Sequence, residues 1–313
     1  MKNIPLGYVD LQVNGFLGVD FSSPDLTEAD FIRACRALLA RGTAAFLPTM
    51  ITSPLDVYAR NLPLMARVMA REEFESRLLG FHIEGPFISR EPGAVGAHNP
   101  AYVRESDVAL LEKLLDWADG RVRLLTVAAE VPGADALARF AVERGITVSI
   151  GHSLFDTADL DRMAEAGATA LTHLGNGLPN LLPRHDNPMW VGLAHDAYTA
   201  MVIADGHHLP VPVLKTMVRA KGADKLIVVS DAAPVAGLPP GRYRMLDNDA
   251  VLEPSGCFHN PDKQCLVGSS ATMTQCMAHL AGLGEMSEEA LMKVGRSNPL
   301  ALIGANLSKL EVQ

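Results

Sequence analysis

Short apolar runs alternate with amphipathic stretches along nearly the whole chain. The apolar runs, at 8–13, 44–48, 78–83, 123–128, 147–150, 170–172, 200–203 and 226–229, have the length of buried strands. Between them, apolar residues recur at three- and four-residue spacing over 28–40, 57–72, 108–117, 134–144, 159–166 and 213–220. That period marks helices with one buried face. Strand followed by helix, repeated, implies parallel neighbours joined by right-handed crossovers. Eight such strands fit a closed barrel better than an open doubly wound sheet, and no G-x-G-x-x-G follows the first strand. The predicted fold is α/β, a (β/α)8 TIM-like barrel.

One segment breaks the alternation. Residues 239–264 carry turn residues (Pro239-Pro240-Gly241, Asp247-Asn248-Asp249, Pro254-Ser255-Gly256) around short alternating runs. They predict a small hairpin insertion after strand eight, within one barrel domain over 1–313. A final helical pair is expected at 273–283 and 287–294. The 48% hydrophobic and 20% charged content supplies a core and shows no sign of disorder. The net charge of -9 argues against nucleic acid or an anionic membrane as partner, though a small anionic substrate needs only a local patch. No run of about 18 apolar residues is present, so no membrane span is expected. Residues 1–10 hold one lysine and no long apolar run, unlike a secretory signal. Cys35, Cys257, Cys265 and Cys276 form no C-x-x-C pair and read as reduced thiols of a cytoplasmic protein.

In a barrel of this kind, chemistry gathers where strands end and loops begin. The polar residues of this chain fall there. Gln12 and Asn14 end strand one, His82 and Glu84 strand three. His152 follows strand five, His173 strand six, His207 and His208 strand seven, and Asp231 ends strand eight. A single histidine at a strand end is ordinarily a hydrogen-bonded structural residue. So many ionisable groups around one mouth are costly unless a metal or partner compensates. Glu84, His152 and His173 offer one oxygen and two nitrogen donors, a set suited to one zinc ion with a position open for water. Iron, manganese or cobalt would accept the same donors. Asp231 is the best candidate for a general base that takes a proton from water and hands it to a leaving amine.

Several runs together carry a resemblance: Asp10-Leu-Gln-Val-Asn-Gly15, His82-Ile-Glu-Gly-Pro86, Gly151-His-Ser153, Thr172-His-Leu-Gly-Asn176, Ala204-Asp-Gly-His-His208, Ser230-Asp-Ala232 and Leu266-Val-Gly-Ser-Ser270. In this order, from Val9 to about Ala305, they resemble the N-acetylglucosamine-6-phosphate deacetylase family. The resemblance implies a metal held by Glu84, His152 and His173, with Asp231 as acid and base. Many amidohydrolases carry His-x-His on strand one and hold two metals; Gln12 and Asn14 resemble the single-metal members and are expected on the substrate side. The resemblance further implies that His98, in Gly96-Ala-His-Asn-Pro100, contacts the sugar. Asn176 and Gly177 contact substrate through their backbone, and His208, with His207 as fallback, lies near the phosphate.

Two features depart from the family. Its members carry a small β-sandwich built from both chain ends, which is expected here to be missing or reduced to 239–264. Its phosphate-binding arginine lies in a segment that differs here, and Arg184 is the nearest candidate. If Arg184 serves a neighbouring subunit's site, as the matching family arginine does, the chain is a homodimer. The implied activity is hydrolysis of the acetamide of N-acetylglucosamine 6-phosphate. The alternatives are an amidohydrolase for a non-phosphorylated N-acyl sugar or amino-acid derivative and, last, a non-enzymatic sugar sensor.

Overall fold

The computed structural model describes residues 7–305; residues 1–6 and 306–313 lie outside the described residues, and with them part of the segment read for a secretory signal. Eight strands pair in parallel, each with its neighbour in chain order: β1 (Tyr8–Val13), β2 (Thr43–Ile51), β3 (Phe81–Glu84), β4 (Val122–Val127), β5 (Thr147–Ile150), β6 (Ala170–Leu171), β7 (Thr199–Ile203) and β8 (Leu226–Val229). Helices α1 (Glu28–Leu39), α2 (Leu55–Met69), α3 (Val108–Trp117), α4 (Ala134–Val142), α5 (Thr157–Glu165), α6 (Pro188–Ala194) and α7 (Val211–Lys221) fill the crossovers. The chain is a (β/α)8 TIM-like barrel.

Local chemistry sets the boundaries. Thr27 caps α1 by accepting the Asp30 N–H, and Asp156 caps α5 through a reciprocal pair with Asp159, so α5 starts two residues before its apolar period suggests. Strand β3 begins at Phe81 rather than 78 because Gly80 interrupts it with φ +143°, and a Cβ there would lie 2.5 Å from the Arg121 carbonyl. Helix α6 has no counterpart in the expected elements. Asn187 caps it and Pro188 opens it, a start signal hidden inside a turn-rich run.

Side chains facing the barrel axis stack in layers, as alternation along each strand requires. The lower layers are apolar: Val9, Leu11, Ala45, Leu47, Leu124, Met201, Ile203, Ile227 and Val229 pack with Leu300 and Ile303, which plug the bottom. The plug comes from the end of the chain, where α8 (Met273–Gly282) and α9 (Glu288–Met292) lead through a π-helical turn (Lys293–Ser297) into α10 (Asn298–Leu302). One step up, the axis-facing residues turn polar. His82 Nε2 meets Thr126 Oγ1 at 2.8 Å, Thr126 meets Thr172 at 2.8 Å, and Thr172 meets Ser149 at 2.6 Å.

Among the described residues, no ladder joins β8 to β1. One bridge between Val13 and Ala232 and the Asp10 carboxylate close the barrel; Asp10 accepts the Ser230 N–H at 3.1 Å and the Ser230 hydroxyl. After β8 the insertion is larger than a hairpin. Strands β9 (Gly241–Met245), β10 (Asn248–Leu252), β11 (Phe258–Asn260) and β12 (Cys265–Leu266) form an antiparallel meander. Its Leu246, Ala250, Leu252 and Phe258 pack on Ile51, Ala233 and Val235 at the barrel top. Asn248 donates to the Ala97 carbonyl at 2.9 Å, tying the meander to the His98 loop.

Candidate metal centre and proton-transfer site

Glu84 ends β3 with its side chain on the axis, directly above His82. Its Oε1 lies 2.9 Å from His173 Nε2 and 3.3 Å from His152 Nε2, and the two imidazole nitrogens are 3.2 Å apart. Donors that share one tetrahedral ion at bonds of about 2.0–2.2 Å stand roughly 3.3–3.6 Å apart. Three buried donors converging this closely match one ion of that kind, so the residues present fit a divalent metal. His98 is a second neighbour: a donor atom of it lies within 4.8 Å of those of Glu84 and His152, a wider spacing, and its Nδ1 already accepts the Thr52 N–H at 3.3 Å. His152 Nδ1 faces the Ala94 carbonyl at 2.8 Å, which turns Nε2 toward Glu84, the outer support expected of a ligating histidine.

The backbone carries a mark that no sequence pattern discloses. His152, His173 and Asp231 each stand two residues past a barrel strand, and each is left-handed, with φ of 50°, 30° and 50°. Such conformations cost a non-glycine residue of order 1–3 kcal/mol and gather at functional sites. Here they aim all three side chains into one mouth. Two glycines make room. A Cβ on Gly177 would sit 2.7 Å from His152 Nδ1, and one on Gly96 3.1 Å from His152 Cε1.

Charge follows the geometry. Burial pushes Glu84 up, but hydrogen bonds from His152 and His173 hold it well below the carboxylate range. Burial lowers His173, yet the hydrogen bond and charge of Glu84 raise it overall. Burial and the Glu84 charge push Asp231 up to about 6, against the opposing charges of His173 and His208 and the Asn14 hydrogen bond. Burial lowers His98 to about 3 and His82 to about 4, so both are neutral near pH 7.

Glu84, His98, His152, His173, Asn176, Gly177, His208, Asp231 and Asn14 line one cavity of about 620 Å³. Gln12 and Asn14 act on the acids: Gln12 Nε2 donates to Glu84 Oε1 at 2.9 Å, and Asn14 Nδ2 donates to Asp231 Oδ1 at 2.7 Å. A register shift in β1 after Asp10 accompanies their turn toward the mouth. Arg184 does not line this cavity. Among the described residues, Arg90 and Lys263 are the Arg and Lys side chains that do, neither of them marked by a sequence pattern, since each is an isolated charge in a loop. Asp205, behind His208, was also missed; its signal is an acid three residues before a histidine on a Gly-containing turn.

A barrel with a carboxylate and histidines gathered for a metal and an aspartate across the same mouth is of the amidohydrolase class. N-acetylglucosamine-6-phosphate deacetylase from Bos taurus is 34% identical to this chain over 319 residues, covering 97% of this chain and 75% of the relative. The chain therefore belongs to the N-acetylglucosamine-6-phosphate deacetylase family. Among solved structures, an aspartate-to-alanine variant of the Mycobacterium smegmatis N-acetyl-D-glucosamine-6-phosphate deacetylase, in complex with N-acetyl-D-glucosamine-6-phosphate, is similar with a TM-score of 0.87 at 25% identity, covering 96% of this chain and 78% of that one. The Thermotoga maritima N-acetylglucosamine-6-phosphate deacetylase is similar with a TM-score of 0.84 at 29% identity, covering 96% and 78%. A scan against protein-family models finds no match.

Proposed function

We propose that this protein hydrolyses the acetamide of N-acetylglucosamine 6-phosphate, giving glucosamine 6-phosphate and acetate. The observation that carries the reading is the convergence of Glu84, His152, His173 and Asp231 on one cavity, in a chain of this family. We assign Glu84, His152 and His173 as ligands of a single divalent ion, probe zinc first, and take His98 as a sugar contact. When bound, the ion supplies Lewis-acid chemistry, acidifying a water and polarising the amide carbonyl. The chain's own residues do the rest. Asp231, its Oδ1 held by Asn14, takes a proton from the water whose oxygen joins the carbonyl carbon. It returns that proton to the nitrogen as the C–N bond breaks, leaving acetic acid, whose proton passes to the amine or to solvent to give acetate. Burial and the Glu84 charge raise the Asp231 pKa, and a bound cation would act in the opposite sense and favour its carboxylate. Asn176 and Gly177 offer backbone to the substrate, and His208 meets its anionic end.

The reading extends to one barrel domain over 1–313 and a cytoplasmic setting, supported by four cysteines that are all free. No helix among the described residues is long and apolar enough to cross a membrane. Homodimer formation is supported by Leu181, 91% exposed, and Trp190, 53% exposed, which flank Arg184. A second reading, a non-phosphorylated N-acyl sugar as substrate, is favoured by one fact: Arg184 stands outside the cavity. Acetate release by the zinc-reconstituted protein, from N-acetylglucosamine 6-phosphate and from the plain sugar, decides between them. We expect turnover of the phosphorylated sugar with much the higher kcat/KM. Equal values would favour the second reading, and no release from either would sink both. In the same preparation, His173→Ala should lose the metal; equal occupancy in variant and wild type would remove His173 from the ligand set.

A further inference from the structure

The segment after β7 holds a buried acid that the reaction above does not use. Asp205 Oδ1 accepts the backbone N–H groups of His207 and His208, both at 2.9 Å. Its Oδ2 lies 2.8 Å from His208 Nδ1 and accepts the Ser269 hydroxyl at 2.8 Å. The Asp205 and His208 side chains are almost fully enclosed, 2% and 4% exposed. Burial pushes Asp205 up, but its bond to His208, the His208 charge and the two backbone N–H groups hold it well below the carboxylate range. Asp205 is therefore an acceptor only, and a partner of that kind at Nδ1 places the ring proton on Nδ1. Nε2 is then the nitrogen turned toward the cavity that His208 lines, and it donates to an anionic ligand when the ring carries its second proton.

Ser269 extends the contact to the far side of the mouth. Its N–H donates to the Asp231 carbonyl at 2.9 Å, and its carbonyl accepts the Ala233 N–H at 2.8 Å. It thus brackets the left-handed residue Asp231 from both sides while its hydroxyl holds Asp205.

We propose that Asp205 is a positioning residue: it holds a proton on His208 Nδ1, sets the orientation of the ring and, through Ser269, links that imidazole to the backbone that carries Asp231. The proposal rests on the reading of His208 as the group that meets the anionic end of the substrate. It makes the separation between the anion-facing imidazole and the proton-transferring carboxylate a property of one hydrogen-bonded unit. Asp205 itself does not line the cavity. An asparagine at 205 can keep the backbone bonds, but it can present either a donor or an acceptor to Nδ1, so a proton on Nδ1 is no longer dictated.

The test uses the full-length, zinc-loaded protein with 15N-labelled histidine, and His208→Gln identifies the His208 signal. Long-range 1H–15N spectra should report the Nδ1–H form of His208 in the wild type and its loss in Asp205→Asn. Hydrogen bonds to charged groups are worth enough that KM for N-acetylglucosamine 6-phosphate should rise about tenfold or more in Asp205→Asn. The KM for plain N-acetylglucosamine should stay within about twofold, and kcat should fall less than KM rises. Ser269→Ala, a smaller change, should move KM in the same direction and by less, and it serves as the readout if Asp205→Asn does not fold. A wild-type His208 ring protonated at Nε2 alone, an unchanged spectrum in Asp205→Asn, or equal KM changes for both sugars would overturn the proposal. If the wild type releases acetate from neither sugar, the functional reading fails, while the spectra still decide whether Asp205 holds the proton on Nδ1.

Discussion

At the scale of single residues, Asp231 carries the sharpest expectation. As the proposed proton carrier, it must be ionised when water attacks and protonated when the amine leaves. Asp231→Asn keeps the shape and can do neither, so kcat should fall by about 10²–10⁴-fold with metal content unchanged. Turnover above about a tenth of wild type, where a loss of at least about a hundredfold is expected, would exclude Asp231 as the proton carrier. A variant that loses its metal would make Asp231 a ligand instead. Gly177 is the complementary case, because it contributes space. A methyl at 177 would stand 2.7 Å from His152 Nδ1 and face a positive φ of 61°. Gly177→Ala should displace the imidazole, and misplaced outer support typically costs about 10–100-fold in metal affinity. Zinc titration of the two proteins measures it; unchanged affinity would mean that the loop yields rather than the ring.

At the scale of elements, the seam between β1 and β8 is held by a side chain where a ladder is missing, and this gives stability a pH signature. Burial is the largest influence on Asp10 and raises its pKa from 3.8 to about 7, despite the bonds from Ser230 and Gln12. Between those values the folded protein keeps a proton that the unfolded chain has released. The contribution of this group is therefore full below the lower value, falls as pH rises through the window, and is flat above about 7. Asp10→Asn removes the titration. Relative to wild type, the variant should gain stability steadily from pH 4.5 to pH 7.5 in thermal melts, and a difference that does not vary with pH would refute the link. The elements themselves were largely legible. The runs 147–150 and 226–229 match their strands residue for residue; the second is apolar on both faces, as a buried parallel strand ordinarily is, while the first turns Ser149 to the polar layer on the axis. Glu84, His152, His173 and Asp231 were legible as polar exceptions at the ends of those runs. What could not be read depends on distant partners. Helix α6 hid behind turn residues, and Arg90 and Lys263 reach the cavity, and Asp205 reaches Ser269, only because loops far apart in sequence meet at the mouth.

At the scale of the whole molecule, the barrel divides its labour by height, with an apolar plug below, a polar layer in the middle and the mouth above. The plug should be separable from the chemistry. Leu300 is fully buried among barrel residues, so Leu300→Ala should cost about 2–5 kcal/mol of stability. KM and kcat, measured well below the melting transition, should stay within about threefold of wild type, a change of less than about 1 kcal/mol. A large kinetic change with little loss of stability would show that the plug is coupled to the mouth.

The left-handed turns at His152, His173 and Asp231 bear on how such a protein can decay. Ordinarily a glycine is a worse replacement than alanine, because it loosens the unfolded chain. At these three points the order should invert, since a Cβ in this conformation costs roughly 1–2 kcal/mol that glycine escapes. Compared without metal, His152→Gly should melt above His152→Ala. A lineage released from selection for activity would then meet little resistance at these three positions: mutations there that would abolish the proposed turnover are among those that relax the fold, and inert barrels of ordinary or better stability are the expected remnants.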